Sequence, residues 1–555
     1  MRRILAPTAT RLPRTTSGLR AVATALAIGT ALLVAGCGGG GSKQPPAQAA
    51  RTQPLETIFE AQSQLFASPG PTLDTLKALG VDDVKVFMPW GSMAPDYASH
   101  TIPAGFQASD PAAYAAGLWA PYDAIVRAAA SRGVGVDLAL EAPAPLWAVG
   151  PGLPAGTSPG FVGSWEPSAT QYGLFVKAVG TRYDGHYTPA GQTSSLPAVR
   201  FWSIWNEPNY GAQLAPQAVD NSTVEVSPLL YRELLDAAWT ALSATGHGPA
   251  TDKILIGEVA PRGQTTNGQP GNFSGMVPLR FIRALYCVDG SLHPLTGTAA
   301  TVRGCPATAA ASKAFPSQHP GLFHATGFAV HPYPQGQVTP NVPTSNEPDY
   351  ADLPKLPSLE ATLDGAVAAY GQTTKFPIYN TEFGYQTNPP EKIARAINPT
   401  LAAYYMNWAE YISWHDARVA SWDQYLLTDP PPPSNFDTGL QFANGQPKDP
   451  MQDAFRMPLY LPQASGKQGQ ALEVWGDLRP AHYAMEASKA TEVADIQFKP
   501  SSGSGFKTLQ RVTVTDAYGY FESPVTFPSS GSVRVAWSPP GGGIFYSRTT
   551  PVTVG

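Results

Sequence analysis

The sequence predicts an α/β fold: a (β/α)8 barrel, the TIM-barrel architecture, followed by a small all-β sandwich domain. Three observations carry this. Between about residues 55 and 460, eight short runs rich in β-branched and aromatic residues alternate with stretches of helical periodicity. That alternation implies parallel strands joined by helical crossovers. No glycine-rich phosphate fingerprint follows an early run, which disfavours a doubly wound open sheet. After Leu461 the period changes from 3.6 to two, the mark of half-buried strands.

The eight expected strands are 57–64, 83–87, 135–140, 199–205, 254–257, 327–330, 377–380 and 419–424. Between them, Tyr122, Ile125, Val126 and Ala129 share one helical face that ends at Gly133, a natural C-cap. Tyr172, Phe175, Val176, Val179 and Tyr183 share another. Further helices are expected over 229–242, 359–370 and 400–414. Residues 462–470 read as a polar linker. Beyond it, 472–475, 494–499, 507–515, 519–527 and 532–537 alternate in period two, with a helix over 481–489. These strands form a small sandwich, packed on the barrel or acting as an accessory module. The expected boundaries are 1–37 export segment, 38–52 tether, 53–462 barrel and 468–555 β-domain.

The N-terminus reads as targeting rather than fold. Arg2, Arg3, Arg11, Arg14 and Arg20 precede an apolar run from Ala21 to Gly36, too short to span a bilayer. Val34-Ala35-Gly36-Cys37 resembles a bacterial lipobox, which implies lipidation of Cys37 and attachment to the outer face of the cell membrane. Residues 38–50, rich in Gly, Pro and Gln, read as a flexible tether. With Cys37 taken by lipid, Cys287 and Cys305 are left to pair in an oxidising compartment.

Composition narrows the function classes. A net charge of −5 without basic clusters argues against a nucleic-acid partner. Charged residues are 14%, against roughly 25% in average proteins. The 57 prolines are about twice the usual share of ~5%, which suits long ordered loops.

Two glutamates stand in matching settings. Glu207 lies in Trp205-Asn206-Glu207-Pro208, and Glu382 in Thr381-Glu382-Phe383-Gly384. Each ends a β-rich run and meets a turn-forming Pro or Gly. In a parallel barrel that end faces the active site. Two carboxylates converging there suit cleavage of a glycosidic bond.

The residues around Glu207 and Glu382 resemble strands four and seven of clan A glycoside hydrolases, families 39 and 5 among them, over roughly residues 55–460. The resemblance implies a carbohydrate substrate and a retaining mechanism, with Glu207 as general acid/base and Glu382 as nucleophile. It further implies that Asn206 holds the sugar 2-OH, that His331 and Tyr333 lie beside the nucleophile, and that Trp422 floors the sugar subsite. Trp90 and Trp147, and Trp205 beside Asn206, are further candidate walls. Glu141 and Glu258 also end strands, without the clan context, and are read as substrate or supporting contacts. Lys85 stands where many clan members carry an arginine. No metal or organic cofactor is implied. A transglycosylase on the same scaffold, and a non-catalytic glycan-binding lipoprotein, are the alternatives. The insertions 151–168, 263–277, 289–324 and 335–357 are expected to shape the barrel mouth.

Overall fold

The computed structural model describes residues 54–219, 222–264, 268, 270–334, 338–433 and 436–555. The expected export segment, Cys37, the tether and the barrel start at 53 lie outside these residues.

Eight parallel strands close into a barrel in sequence order. They are β1 Glu56–Glu60, β2 Asp83–Pro89, β3 Gly135–Glu141, β4 Phe201–Ile204, β5 Lys253–Val259, β6 Gly327–Val330, β7 Ile378–Asn380 and β8 Val419–Tyr425. β1 is shorter than expected because Gln62 leaves the strand. Its side-chain amide bonds the Phe87 backbone instead, accepting from N at 2.7 Å and donating to O at 3.2 Å. A helix then starts at Gln62 itself.

The outer helices follow the expected periodicity. Ala116–Ala130 buries Trp119, Tyr122, Ile125, Val126 and Ala129, and Gly133 takes φ 70° just beyond it. Ala169–Arg182 is capped by Ser168 accepting from Gln171 N–H. Ser227–Ala244, Leu356–Ala368 and Pro399–His415 complete the longer helices.

The barrel lumen is layered. Ile58, Phe201, Leu255, Ala329, Tyr379 and Ala420 form an apolar cluster of their own. Above it lies a charged layer. Glu60 is in register with Lys85, and Lys85 with Asp137, and all three are buried. Alternation along β2 sends Val84 and Val86 into the helix layer, which settles Lys85 inward.

C-terminal to the barrel come β9 Leu459–Tyr460, β10 Ser465–Gly466, β11 Ala471–Asp477, β12 Glu492–Pro500, β13 Lys507–Val514, β14 Tyr520–Thr526, β15 Gly531–Trp537, β16 Phe545–Tyr546 and β17 Thr550–Val554. They form a sheet ordered β14-β11-β9 and a second ordered β10-β17-β15-β12-β13, with β16 on β15. Met457, Leu459 and Leu461 already belong to the core of these sheets, so the β-structure begins before the linker expected at 462–470. Those positions are too few to show a period of their own.

The sheets brace the barrel. Buried Arg479 donates to both Glu410 oxygens at 2.7 and 2.8 Å, and to Thr57 Oγ1 at 2.8 Å. Tyr520 OH donates to Glu410 Oε1 at 2.8 Å. Helix Pro399–His415, strand β1 and the C-terminal sheet therefore share one buried ionic knot. Cys287 and Cys305 are joined as a disulfide, Cα–Cα 5.6 Å.

Candidate active site at the C-terminal ends of the barrel strands

Glu207 lies three residues past β4 on a turn of unusual backbone. Trp205 (φ 66°) and Glu207 (φ 39°) both occupy the left-handed region, strain of a kind that gathers at functional sites. Neighbouring contacts hold the turn. Glu207 N–H donates to Glu258 O at 2.9 Å. Asn209 donates to the carbonyls of Ala260 and Met276 and accepts from Ala260 N–H. The β4 turn is thus tied to the end of β5.

β5 itself is irregular. Its register with β6 shifts between Ile256 and Val259. Gly257 takes φ 98°, where a Cβ would meet the Phe328 ring at 2.6 Å, and Glu258 takes φ 46°. Such a bulge re-aims a side chain. Here it turns Glu258 into the buried site, where one oxygen collects three donors. Oε2 accepts from Lys85 Nζ at 2.9 Å, His331 Nε2 at 2.8 Å and Thr381 Oγ1 at 2.8 Å.

Glu382 lies two residues past β7 and is 7% exposed. Lys85 Nζ donates to its Oε1 at 3.3 Å, and Tyr333 OH to its Oε2 at 3.2 Å. His331 Nδ1 is 3.4 Å from the same Oε2 and 3.0 Å from Glu207 Oε1. One oxygen from each of Glu207 and Glu382 lies with a His331 ring nitrogen inside a 4.8 Å set.

Charge explains why this cluster holds together. Burial alone would lower the His331 pKa, but Glu382, Glu207 and Glu258 outweigh it and raise it to about 9. Lys85 is likewise opposed by burial and pushed well above its ordinary value by Glu258, Glu382 and Glu60. Burial pushes Glu258 up, but Lys85 and His331 hold it well below the ordinary carboxylate range. The surrounding acids go the other way. Burial, reinforced by neighbouring carboxylates, raises Asp137 and Glu141 to about 8 and Glu60 and Asp423 well above normal.

Glu207, His331 and Glu382 form one grouping of potential ligand atoms, in which both ring nitrogens of His331 already meet carboxylates, Nδ1 at 3.0 Å from Glu207 and Nε2 at 2.8 Å from Glu258. A second grouping, His415, Glu473 and Glu522, lies where helix Pro399–His415 meets the C-terminal sheet, with His415 Nε2 at 2.9 Å from Glu522.

Asn206 is 8% exposed, and its Oδ1 has no hydrogen-bond partner among the described residues. Glu141 is half-buried, close enough for the charges of Glu382 and Glu207 to raise its pKa. The tryptophans are placed differently from expectation. Trp422 does not floor the mouth. One extra residue at Ala420 shifts the β7–β8 register, Ser421 and Asp423 take the inward positions, and Trp422 is fully buried 4.8 Å from the Phe383 ring. Trp90 and Trp205 are core residues too, Trp90 stacked on Phe175 and Trp205 donating to Gln213 O. Trp147 is half-buried and donates to Pro95 O. The aromatic surface beside Glu382 is made instead by Tyr333, Tyr425 and Phe436, with ring centroids 5.4–6.1 Å apart. Of these, the sequence singles out Tyr333; Tyr425 lies one residue beyond the strand expected at 419–424, and Phe436 comes from a loop with no pattern to mark it.

Neither protein-family models nor the sequences of curated proteins match this chain. Among solved structures it is similar to a family 39 glycoside hydrolase from Bacteroides cellulosilyticus WH2, at 13% identity over 87% of this chain and 81% of that chain, TM-score 0.42. It is similar to a glucosidase from Croceicoccus marinus, at 12% identity over 91% and 98%, TM-score 0.44. A calcium-binding mutant of Bacteroides uniformis beta-glucuronidase 2 shares 10% identity over 90% of this chain, TM-score 0.39, and this chain spans only 45% of it.

Proposed function

We propose that this protein is a retaining glycoside hydrolase, with Glu382 as nucleophile and Glu207 as general acid/base. The observation that carries the reading is the approach of Glu207 and Glu382 oxygens to within 4.8 Å at the C-terminal ends of β4 and β7. Retaining enzymes hold their carboxyls about 5–5.5 Å apart, whereas inverting ones need about 6.5–9.5 Å to admit a water. An oxygen-to-oxygen approach within 4.8 Å fits the retaining arrangement.

The chemistry then runs in two steps. Glu382 attacks the anomeric carbon as the glycosidic C–O bond breaks, and the Glu207 proton passes to the leaving oxygen. Glu207 next takes a proton from water, whose oxygen attacks the same carbon and frees Glu382. Lys85 and Tyr333 hold the Glu382 oxygens in position, and His331 spans both carboxylates. Asn206, beside Glu207, is the residue read as holding a sugar hydroxyl, a bond that strengthens at the transition state. In the same reading, export and lipidation at Cys37 put this activity at the outer face of the cell membrane.

The test is sugar release from a broad aryl-glycoside and glycan panel by the full chain and by Glu382→Gln. Release by the wild type alone supports the reading and names the substrate. Equal release by both removes Glu382 as nucleophile. Glycan binding without release by either points to a non-catalytic lipoprotein.

A further inference from the structure

Both cations of the layer around Glu258, Lys85 and His331, are committed. Lys85 is fully buried against Glu258 and Glu382, and His331 is fully buried among Glu207, Glu258 and Glu382. Neither has charge to spare for a substrate. Two other cations line a cavity joined to the carboxylate pair through Tyr333. This cavity, of about 150 Å³, is lined by Arg262, Tyr333, Tyr385, Gln386, Arg395 and Phe436. Its wall also includes Gly384, two residues past Glu382, and its Tyr333 is the residue that bonds Glu382.

Arg262 follows β5, is half-buried, and uses one guanidinium nitrogen on Tyr333 O at 3.0 Å. Arg395 enters from the loop after β7 and donates to Gln386 Oε1 at 2.5 Å. The Gln386 amide nitrogen in turn donates to both Glu391 oxygens at 2.9 and 3.1 Å, so Glu391 meets Gln386. Among the described residues neither guanidinium forms an ion pair with a carboxylate. Elsewhere the chain treats clustered arginines differently. Arg280 and Arg303 share Glu225 at 2.6 Å each, and Arg283 pairs with Asp349.

Arg262 also lies on the Glu207 side of the site. Tyr210, pushed up to about 12 by burial, is raised further by the Glu207 charge and lowered by that of Arg262.

We propose that Arg262 and Arg395 form a subsite for an anionic substituent, so that the substrate is an acidic glycan bearing a uronate carboxylate or a sulfate ester. This rests on the glycoside hydrolase reading and deepens it. A site built around several carboxylates repels an anionic sugar. Two guanidinium forks whose charge is not neutralised offset that repulsion, and their planar donors match the oxygens of a carboxylate or sulfate. The cavity, about 150 Å³, has room for such a substituent and shares Tyr333 with Glu382.

The test compares matched aryl glycosides and oligosaccharides, each neutral hexoside against its hexuronide and its sulfate ester. The full chain is assayed beside Arg262→Ala, Arg262→Lys, Arg395→Ala and Glu382→Gln. Wild type is expected to prefer the acidic member by roughly tenfold or more, and each alanine variant to lose about 10- to 100-fold in kcat/KM on it, with partial rescue in Arg262→Lys. Whether hexuronide or sulfate ester is favoured identifies the anion. Equal turnover of neutral and acidic members, or a preference that survives both alanine substitutions, overturns the proposal and leaves the hydrolase reading standing. Release by Glu382→Gln equal to wild type overturns the hydrolase reading itself. If no member is cleaved, calorimetric titration with sodium glucuronate and sodium sulfate decides. Saturable binding lost in Arg262→Ala supports the subsite, and its absence in the wild type overturns it.

Discussion

Glu258 Oε2 and His331 Nε2 meet at 2.8 Å with both side chains fully buried, and the same oxygen takes Lys85 at 2.9 Å. One carboxylate outside the Glu207–Glu382 pair therefore holds both Lys85 and His331 in place. Through Lys85 it acts on Glu382, and through His331 on both Glu207 and Glu382. Its own position depends on the β5 bulge at Gly257.

Replacing Glu258 by Gln keeps the shape and removes the charge. The expected outcome is a kcat lower by roughly 10- to 100-fold with KM little changed, since substrate contacts are untouched. The His331 pKa falls as it loses an anionic partner, so the alkaline limb of the pH–rate profile moves to lower pH. An unchanged profile would show that Glu258 serves only the fold.

Glu207 and Glu382 are distinguishable by azide. With an activated aryl glycoside, Glu207→Ala is expected to regain turnover in azide and give a product of retained anomeric configuration, because glycosyl-enzyme formation survives without an acid. Glu382→Ala is expected to give the inverted glycosyl azide. Product anomers read by NMR make the assignment, and the reverse pattern would exchange the two roles.

Lys85 is the only ammonium bonded to Glu258 and Glu382 among the described residues. Lys85→Met strands those carboxylates in the lumen and is expected to cost about 3–5 kcal/mol, the usual effect of removing one partner from a buried ion pair. Denaturant melts check this. Lys85→Arg retains the charge and is expected to recover part of the loss.

His331 makes stability fall with rising pH. Its folded pKa, about 9, is above the ordinary value of 6.5, so the folded state holds the extra proton between them. The stabilisation is complete below about pH 6.5 and is lost as pH rises through about 9. The melting temperature of the full chain is expected to fall across that window, and His331→Gln to remove the part of the slope that persists above about pH 8, where Asp137 and Glu141 have finished titrating. A wild-type curve flat from 6.5 to 9 would contradict a raised His331 pKa.

Sequence alone was enough for the barrel, the order of its eight strands and the C-terminal β-structure, because periodicity and turn residues are local properties of the chain. It also singled out Glu207, Glu382, Asn206, His331 and Tyr333, whose neighbours in sequence carry the pattern. What it could not contain was register. A single inserted residue at Ala420 exchanges which side chains face the lumen, so Trp422 is core and Asp423 is lumenal. The bulge at Gly257 and Glu258 likewise turns a strand-end glutamate into the common partner of Lys85, His331 and Thr381. Arg262 and Arg395 are 133 positions apart in unpatterned loops, and only closure of the barrel brings them to one cavity with Tyr333. Local composition decides which elements form. Which side chains meet is decided by strand pairing, where a slip of one residue reverses every face, and by the electrostatic balance of groups that come together only in the closed barrel.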